Sequence, residues 1–169
     1  MNSINSQYRS MLCAVAAACC LFAPMSSYAE SGTTDIIVVS VSTVASVQMG
    51  DTTVTARGGN GTVTFIRSSG GPFVEGLSGS TQYASFSKKT PTGFELEADG
   101  VATFSAGDTL LLVFKRKSGD LAPGTSGEGV LNLSGGTGRF AGVSGQCKYK
   151  VENLTGNWNV TIAKCTWQN

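Results

Sequence analysis

Apolar and polar residues alternate along most of the chain after residue 30, and they rarely recur at the spacing of a helix. Valine, threonine, phenylalanine and glycine dominate this part of the sequence, and all but glycine favour strands. The pattern predicts an all-β domain over residues 30–169, with about eight or nine short strands.

Glycine-containing segments predict where these strands turn. Asp99-Gly100 has the composition of a two-residue hairpin turn and joins a strand at residues 94–98 to another at 101–105. The glycines of residues 58–61 predict a second turn. No helical pattern follows this second segment, so it is interpreted as a turn and not as a nucleotide-binding loop.

Two apolar runs interrupt the alternation, at residues 36–41, where Ser40 is the one polar residue, and at residues 110–114. Such runs are typical of strands that are buried on both faces, inside a barrel wall or at a subunit contact. Residues 68–80 and 118–127 are rich in glycine and contain proline, which predicts two long loops.

The most distinctive segment is residues 134–147, which read SGGTGRFAGVSGQC. Five glycines surround one aromatic residue, Phe140, and one cation, Arg139, and strand-like sequence lies on both sides. Glycine at this density in a β context indicates tight turns and close backbone approach. We therefore expect a sharply bent connection anchored by the Phe140 ring.

This segment resembles the glycine-rich signature of the allene oxide cyclase and dirigent barrel superfamily. The matching residues are Gly135, Gly136, Thr137, Gly138, Phe140, Gly142 and Gly145. Alternation alone fits a sandwich and a barrel equally well. The resemblance implies a calycin-like closed antiparallel β-barrel with an apolar lumen, often oligomeric, in which these glycines shape the scaffold.

Two cysteines, Cys147 and Cys165, lie after residue 30. Centring the last hairpin on Gly156 places them directly opposite each other on neighbouring strands, which predicts a disulfide. The alternatives are a free redox pair and a metal site. With no histidine and only two thiols, a metal site is disfavoured.

Residues 1–29 have the pattern of a signal peptide, with an apolar run at 11–23 and small residues before Glu30. The run is shorter than the roughly 20 residues that span a bilayer. We expect a soluble mature protein, with no membrane span, that is secreted or periplasmic. The alternative is a lipid anchor on Cys19 or Cys20.

Charge and composition exclude several function classes. The formal net charge is +1 at pH 7, and the chain after residue 29 has equal numbers of basic and acidic residues. No basic excess favours nucleic acid as a partner. The lack of histidine removes Ser-His and Cys-His catalysis, and we predict no cofactor and no metal.

The candidate catalytic residues are Glu95 and Glu97, which lie on one strand face as a paired acid and base would. A solvated outer face is the favoured interpretation. If that face pointed into an apolar lumen, the carboxyl pKa values would be raised and catalysis would be possible.

Other polar and aromatic groups have structural interpretations that we favour. The cations of residues 115–117 suit a solvated strand end, or an anion site at the barrel mouth. Arg139 suits an ion pair with a neighbouring strand, or a ligand contact. Trp158 and Trp167 point to opposite strand faces, where packing is favoured over stacking on a ligand.

The sequence is compatible with three hypotheses about function. The leading hypothesis is an exported barrel that binds a small apolar or amphipathic molecule in its lumen. The second is a cyclase or isomerase of the kind that the resemblance implies. The third is a structural or surface-interaction module with a filled barrel. A second copy of the chain is a further expected partner.

Overall fold

The computed structural model describes residues 30–169, which form a single closed barrel of eight antiparallel strands. The strands are β1 (Ser31–Met49), β2 (Thr52–Ser68), β3 (Ser78–Thr90), β4 (Gly93–Phe104), β5 (Thr109–Arg116), β6 (Ser126–Gly136), β7 (Ser144–Asn153) and β8 (Trp158–Gln168). The predicted all-β class and closed barrel are confirmed. The predicted signal peptide, with Cys19 and Cys20, lies outside the described residues.

Each strand pairs with the next along the chain, and β8 returns to β1 to close the barrel. The closing register runs from Ser31 opposite Gln168 to Val41 opposite Trp158. Closure leaves no free edge along the paired part of the sheet, so the exposed edges that promote aggregation are largely removed. No helix within residues 30–169 has the length and apolar character needed to cross a membrane.

Two predicted turns are wrong, because Asp99-Gly100 lies inside β4 and residues 58–61 lie inside β2. Asp99 pairs with Ala84 on one side and with Val113 on the other, so both neighbouring strands continue through this position. Pairing on both sides outweighs the local turn preference of the dipeptide. The barrel therefore has longer strands than the turn signals indicate, while its eight strands agree with the predicted number.

Burial on both faces, predicted for residues 36–41 and 110–114, is also wrong for the barrel. In β5, Leu110 and Leu112 point inward and are buried, whereas Leu111 is 45% exposed on the outer surface. In β1, Ile36 is buried and Val39 is 37% exposed. Each strand has one face toward the lumen and one toward the outside.

One end of the lumen is filled by aromatic side chains, and we call it the packed half. Rings of Phe65, Phe73, Phe104 and Phe140 pack against one another with centroids 5.1 to 6.0 Å apart. Trp167 joins them through Phe73, at 5.4 Å. Phe73 and Phe140 enter from the β2–β3 and β6–β7 connections, so these two connections close this end of the barrel.

The glycine-rich connection between β6 and β7 has the bent shape that the sequence predicts. It contains a short 3-10 turn, Gly138–Phe140, and Phe140 is fully buried in the packed half. Arg139 Nε donates a hydrogen bond of 2.8 Å to Asp108 Oδ2 in the β4–β5 turn. The favoured interpretation of Arg139 as an ion-pair partner is therefore confirmed.

The last hairpin has the predicted register. Cys147 lies opposite Cys165 in the β7–β8 pairing, and their sulfur atoms are bonded at 1.96 Å. Both cysteines point into the lumen and belong to the buried core. The predicted disulfide is confirmed, and it ties together two neighbouring strands of the wall.

Candidate functional site

We call the end of the lumen opposite the packed half the open half. It contains a cavity of about 90 Å³. A polar cavity needs roughly 10–15 Å³ to hold one water, so this one has room for several waters or a small group of atoms. Its lining comes from seven strands and the β5–β6 connection. The lining residues are Val38, Ser40, Arg57, Thr81, Tyr83, Ser85, Leu96, Ala98, Leu112, Phe114, Arg116, Leu121, Tyr149, Val151, Asn153, Asn159 and Thr161.

Arg116 is the most deeply buried charged residue described, with 3% of its surface exposed. Its guanidinium carbon lies 4.7 Å from the centre of the Phe94 ring, in a cation–π contact. Nη2 donates a 3.0 Å hydrogen bond to the backbone oxygen of Asp120. Nε and Nη1 are buried and have no partner among the described residues.

Arg57 lines the same cavity from β2. Its Nη2 donates a 2.9 Å hydrogen bond to the backbone oxygen of Leu121, while its Nε is buried without a described partner. Burial lowers the pKa of Arg57. Burial also lowers the pKa of Arg116, and the nearby positive charge of Arg57 lowers it further. Two like charges therefore lie beside one cavity.

Residues 117–125, between β5 and β6, form what we call the capping loop because they bind side chains from several strands. Besides the two arginines, Asn153 of β7 donates through Nδ2 to the backbone oxygens of Asp120 and Thr125, at 3.0 and 3.3 Å. The Asp120 carboxylate forms an ion pair with Lys89 of β3. Contacts to β2, β3, β5 and β7 place this loop across the mouth of the barrel.

The cavity wall also carries hydroxyl and amide groups. Asn159 accepts a 2.8 Å hydrogen bond from Ser40 Oγ and donates one of 3.3 Å to the Tyr83 hydroxyl. Tyr149 packs edge-on against Phe114 at 5.5 Å, and burial raises the pKa of its hydroxyl. The Tyr149 group is therefore neutral at physiological pH and serves as a hydrogen-bonding group.

Glu95 and Glu97 lie on the outer face of β4 and do not reach the cavity. Both are exposed, and Glu97 Oε1 lies 3.1 Å from Nζ of Lys115 on the neighbouring strand. The condition under which this pair would be catalytic, an inward orientation, is not met. No Asp or Glu side chain of residues 30–169 lines the open half.

The three cations at residues 115–117 do not form one solvated strand end as favoured. Lys115 faces outward, but Arg116 points into the lumen because β5 alternates and Arg116 shares its face with Leu110, Leu112 and Phe114. Arg116 lies near the barrel mouth, and the alternative expectation, an anion site there, stays a prediction. The two tryptophans lie on opposite faces as expected, and packing is confirmed for Trp167, which is buried in the core. Trp158 is 47% exposed, so its packing stays a prediction.

Arg57 is one of the site residues that sequence reasoning missed, because a turn at residues 58–61 would end its strand. In the continuous β2, Arg57 shares an inward face with Val63 and Phe65. Within residues 30–169 no cluster of three or more potential metal ligands is present. The open half therefore offers two cations, two phenols and apolar walls.

The sequence matches no model of a known protein family, and no curated protein matches it either. Inference about function therefore depends on the chemistry of the open half.

Proposed function

We propose that the protein binds a small amphipathic molecule in the open half of its lumen. The observation that carries this proposal is the contrast between the two halves of one barrel. Aromatic rings fill the packed half, whereas the open half keeps a cavity lined by both apolar side chains and polar groups. Ligand sites commonly combine apolar walls with a few placed polar groups.

Binding is a better proposal than catalysis for this cavity. The carboxylates that could have acted as acid and base lie on the outer surface, and Glu97 is paired there with Lys115. The polar groups inside are arginines, tyrosines, amides and hydroxyls, which hold a ligand by hydrogen bonds. The resemblance to the allene oxide cyclase and dirigent superfamily remains a proposal about ancestry and adds no reacting group.

The test is a titration with two small aromatic probes, benzyl alcohol and benzoate, followed by ligand-observed NMR. Ser85 lines the cavity, and its neighbour Ala84 points outward on the same strand. Ser85→Leu should fill part of the cavity and abolish binding of any probe that the natural protein takes. Ala84→Leu adds a similar side chain outside the barrel and should leave binding unchanged.

Two outcomes would reject lumen binding. One is that neither probe binds the natural protein at millimolar concentration. The other is that Ser85→Leu and Ala84→Leu bind the probes equally well, which would put any binding on the outer surface. Both variants need to retain the natural β-rich circular dichroism spectrum for the comparison to count.

We also propose that the protein is exported to the periplasm or the outside of the cell. A disulfide is consistent with such an oxidising compartment, and residues 1–29 have the pattern of a signal peptide. Mass spectrometry of the protein from the exported fraction should give a chain that begins at Glu30. A chain that begins at Cys19 or Cys20 with added lipid mass would support the lipid-anchored alternative instead.

A further inference from the structure

Arg116 and Arg57 place positive charge in a part of the molecule where charge is costly. Removing an ion from water costs several kcal/mol unless a partner of opposite charge and hydrogen bonds compensate. Neither guanidinium has a carboxylate within ion-pairing distance among residues 30–169. Each uses one nitrogen to bind a backbone oxygen of the capping loop.

The one carboxylate whose charge acts on both arginines, that of Asp120, is already engaged elsewhere. One of its carboxylate oxygens pairs with Lys89, and the other accepts a 2.6 Å hydrogen bond from the backbone N–H of Leu121. These contacts hold the pKa of Asp120 below its usual value. Asp120 therefore stabilises the capping loop and leaves the buried Nε and Nη1 of Arg116 without an acceptor.

The register of the strands orders the cavity along the barrel axis. On β5 the inward residues run from Leu110 in the packed half through Leu112 and Phe114 to Arg116 near the mouth. On β4, Leu96 lies opposite Arg116 in the pairing, and Ala98 follows one inward step deeper. Along β5, a molecule in this cavity meets Leu112 and Phe114 at its inner end and the Arg116 guanidinium beneath the capping loop.

Building on the proposed function, we propose that the bound molecule is a small organic anion, a carboxylate on a compact apolar body. The carboxylate is held by Arg116 and Arg57 at the mouth, and the apolar body lies against Leu96, Leu112 and Phe114. Guanidinium groups match carboxylates in geometry and charge. An anion placed between the two guanidinium groups offsets the repulsion between these two cations.

The experiment compares benzoate with benzamide, a neutral molecule of nearly the same shape, by NMR titration of the full chain. Charge-assisted hydrogen bonds are about twice as strong as neutral ones, so benzoate should bind about tenfold more tightly than benzamide. Arg116→Gln should remove most of this preference while changing benzamide affinity little. The matched control is Lys115→Gln, which removes one charge from the adjacent outward position and should preserve the preference.

A second variant keeps the charge but moves it. Gly127 of β6 lies against the Arg116 guanidinium, and a methyl group there would overlap Nη1 and displace it. Gly127→Ala should therefore weaken benzoate binding without changing the net charge. Gly58→Ala, in a strand position with open space around it, is the control and should bind benzoate normally. This pair keeps the test valid if Arg116→Gln fails to fold.

Each result decides for or against the inference. Equal affinity for benzoate and benzamide, or a benzoate preference that survives Arg116→Gln and Gly127→Ala, would overturn it while leaving lumen binding of neutral molecules in place. Sulfate that competes as well as benzoate would show that any oxyanion suffices and would overturn the claim for an organic ligand. If Arg116→Gln lowers only the free energy of unfolding, Arg116 serves the capping loop alone and the inference is wrong.

Discussion

Phe140 shows how a single side chain fixes one end of the barrel. Its ring is fully buried among Phe65, Phe73 and Phe104, and the glycines around it let the backbone bend enough to deliver it there. Replacing a buried phenylalanine with alanine removes apolar contact and leaves a cavity, at a cost of about 3–5 kcal/mol.

We therefore predict that Phe140→Ala lowers the free energy of unfolding by about 3–5 kcal/mol in a urea titration. The control is Phe86→Ala, because Phe86 is 56% exposed on the outer face of β3. This control should cost less than about 1 kcal/mol. Similar losses for the two variants would contradict the packing described for the closed end.

Gly138 has a second requirement besides its backbone angle. Gly138 and Gly107 both have positive φ, 59° and 78°, but only Gly138 packs against the Asp108 carboxylate, where a methyl group would overlap it. Positive φ costs a residue with a side chain roughly 1–2 kcal/mol. Gly138→Ala should cost more than Gly107→Ala in chemical denaturation, because it also disturbs the Asp108–Arg139 ion pair. Equal costs would show that the backbone angle alone matters.

Some residue-level features could be predicted from the sequence. Others are missed when neighbouring residues of like charge are treated as one group. The cysteine pairing follows from one hairpin register, so Cys147 and Cys165 could be matched. The inward orientation of Arg116 is missed when it is treated as one of three consecutive cations. Alternation along β5 places it on the same face as Leu112 and Phe114. Its inward position is clear only when each strand position is assigned to a face separately.

At the scale of elements, the strands depart most from the sequence pattern at glycines. Asp99-Gly100 has the composition of a hairpin turn, yet both neighbouring strands pair through it. Gly59 of β2 faces inward against the Tyr83 ring, which a methyl group at this position would overlap, so its missing side chain makes room for that ring. Local composition cannot separate a glycine that turns the chain from one that makes space in a lumen.

Substitution at Asp99 distinguishes these two roles. In the continuous β4, Asp99→Thr replaces a poor strand former with a good one on the outer face, so stability should rise by up to about 1 kcal/mol. In a hairpin turn the same change would be destabilising. Asp51→Thr is the control, because Asp51 lies in the true β1–β2 turn after Gly50 and the substitution should lower stability there. Thermal unfolding of both variants measures the difference.

For the whole molecule, the disulfide links two adjacent strands of a barrel that is closed by pairing between β1 and β8. The bonded cysteines are 18 residues apart, and a closed loop of this size stabilises a protein by about 3 kcal/mol. The Cys147→Ala, Cys165→Ala double variant should unfold at lower urea concentration by that amount and keep its β-sheet spectrum. Complete loss of the spectrum would show that the barrel forms only with the disulfide.

The arrangement of the whole lumen also explains why the open half could not be predicted from the sequence. In the packed half, the strands supply buried apolar residues at alternate positions, which the pattern predicts, and Phe140 is the anchoring ring expected of its glycine-rich segment. The open half depends on Arg57, Arg116 and Asn153, which come from three distant strands and meet only after the barrel closes. These three side chains come together at the capping loop because the barrel is closed, so no single segment of the sequence predicts the site.

The most direct measurement is a crystal structure of the full chain with 4-bromobenzoate, whose bromine is located by its anomalous signal. The account predicts a bromine peak inside the barrel near Leu112 and Phe114, with the carboxylate in hydrogen-bond contact with Arg116 beneath the capping loop. A bromine peak only on the outer surface, or a lumen filled by side chains at saturating ligand, would contradict it.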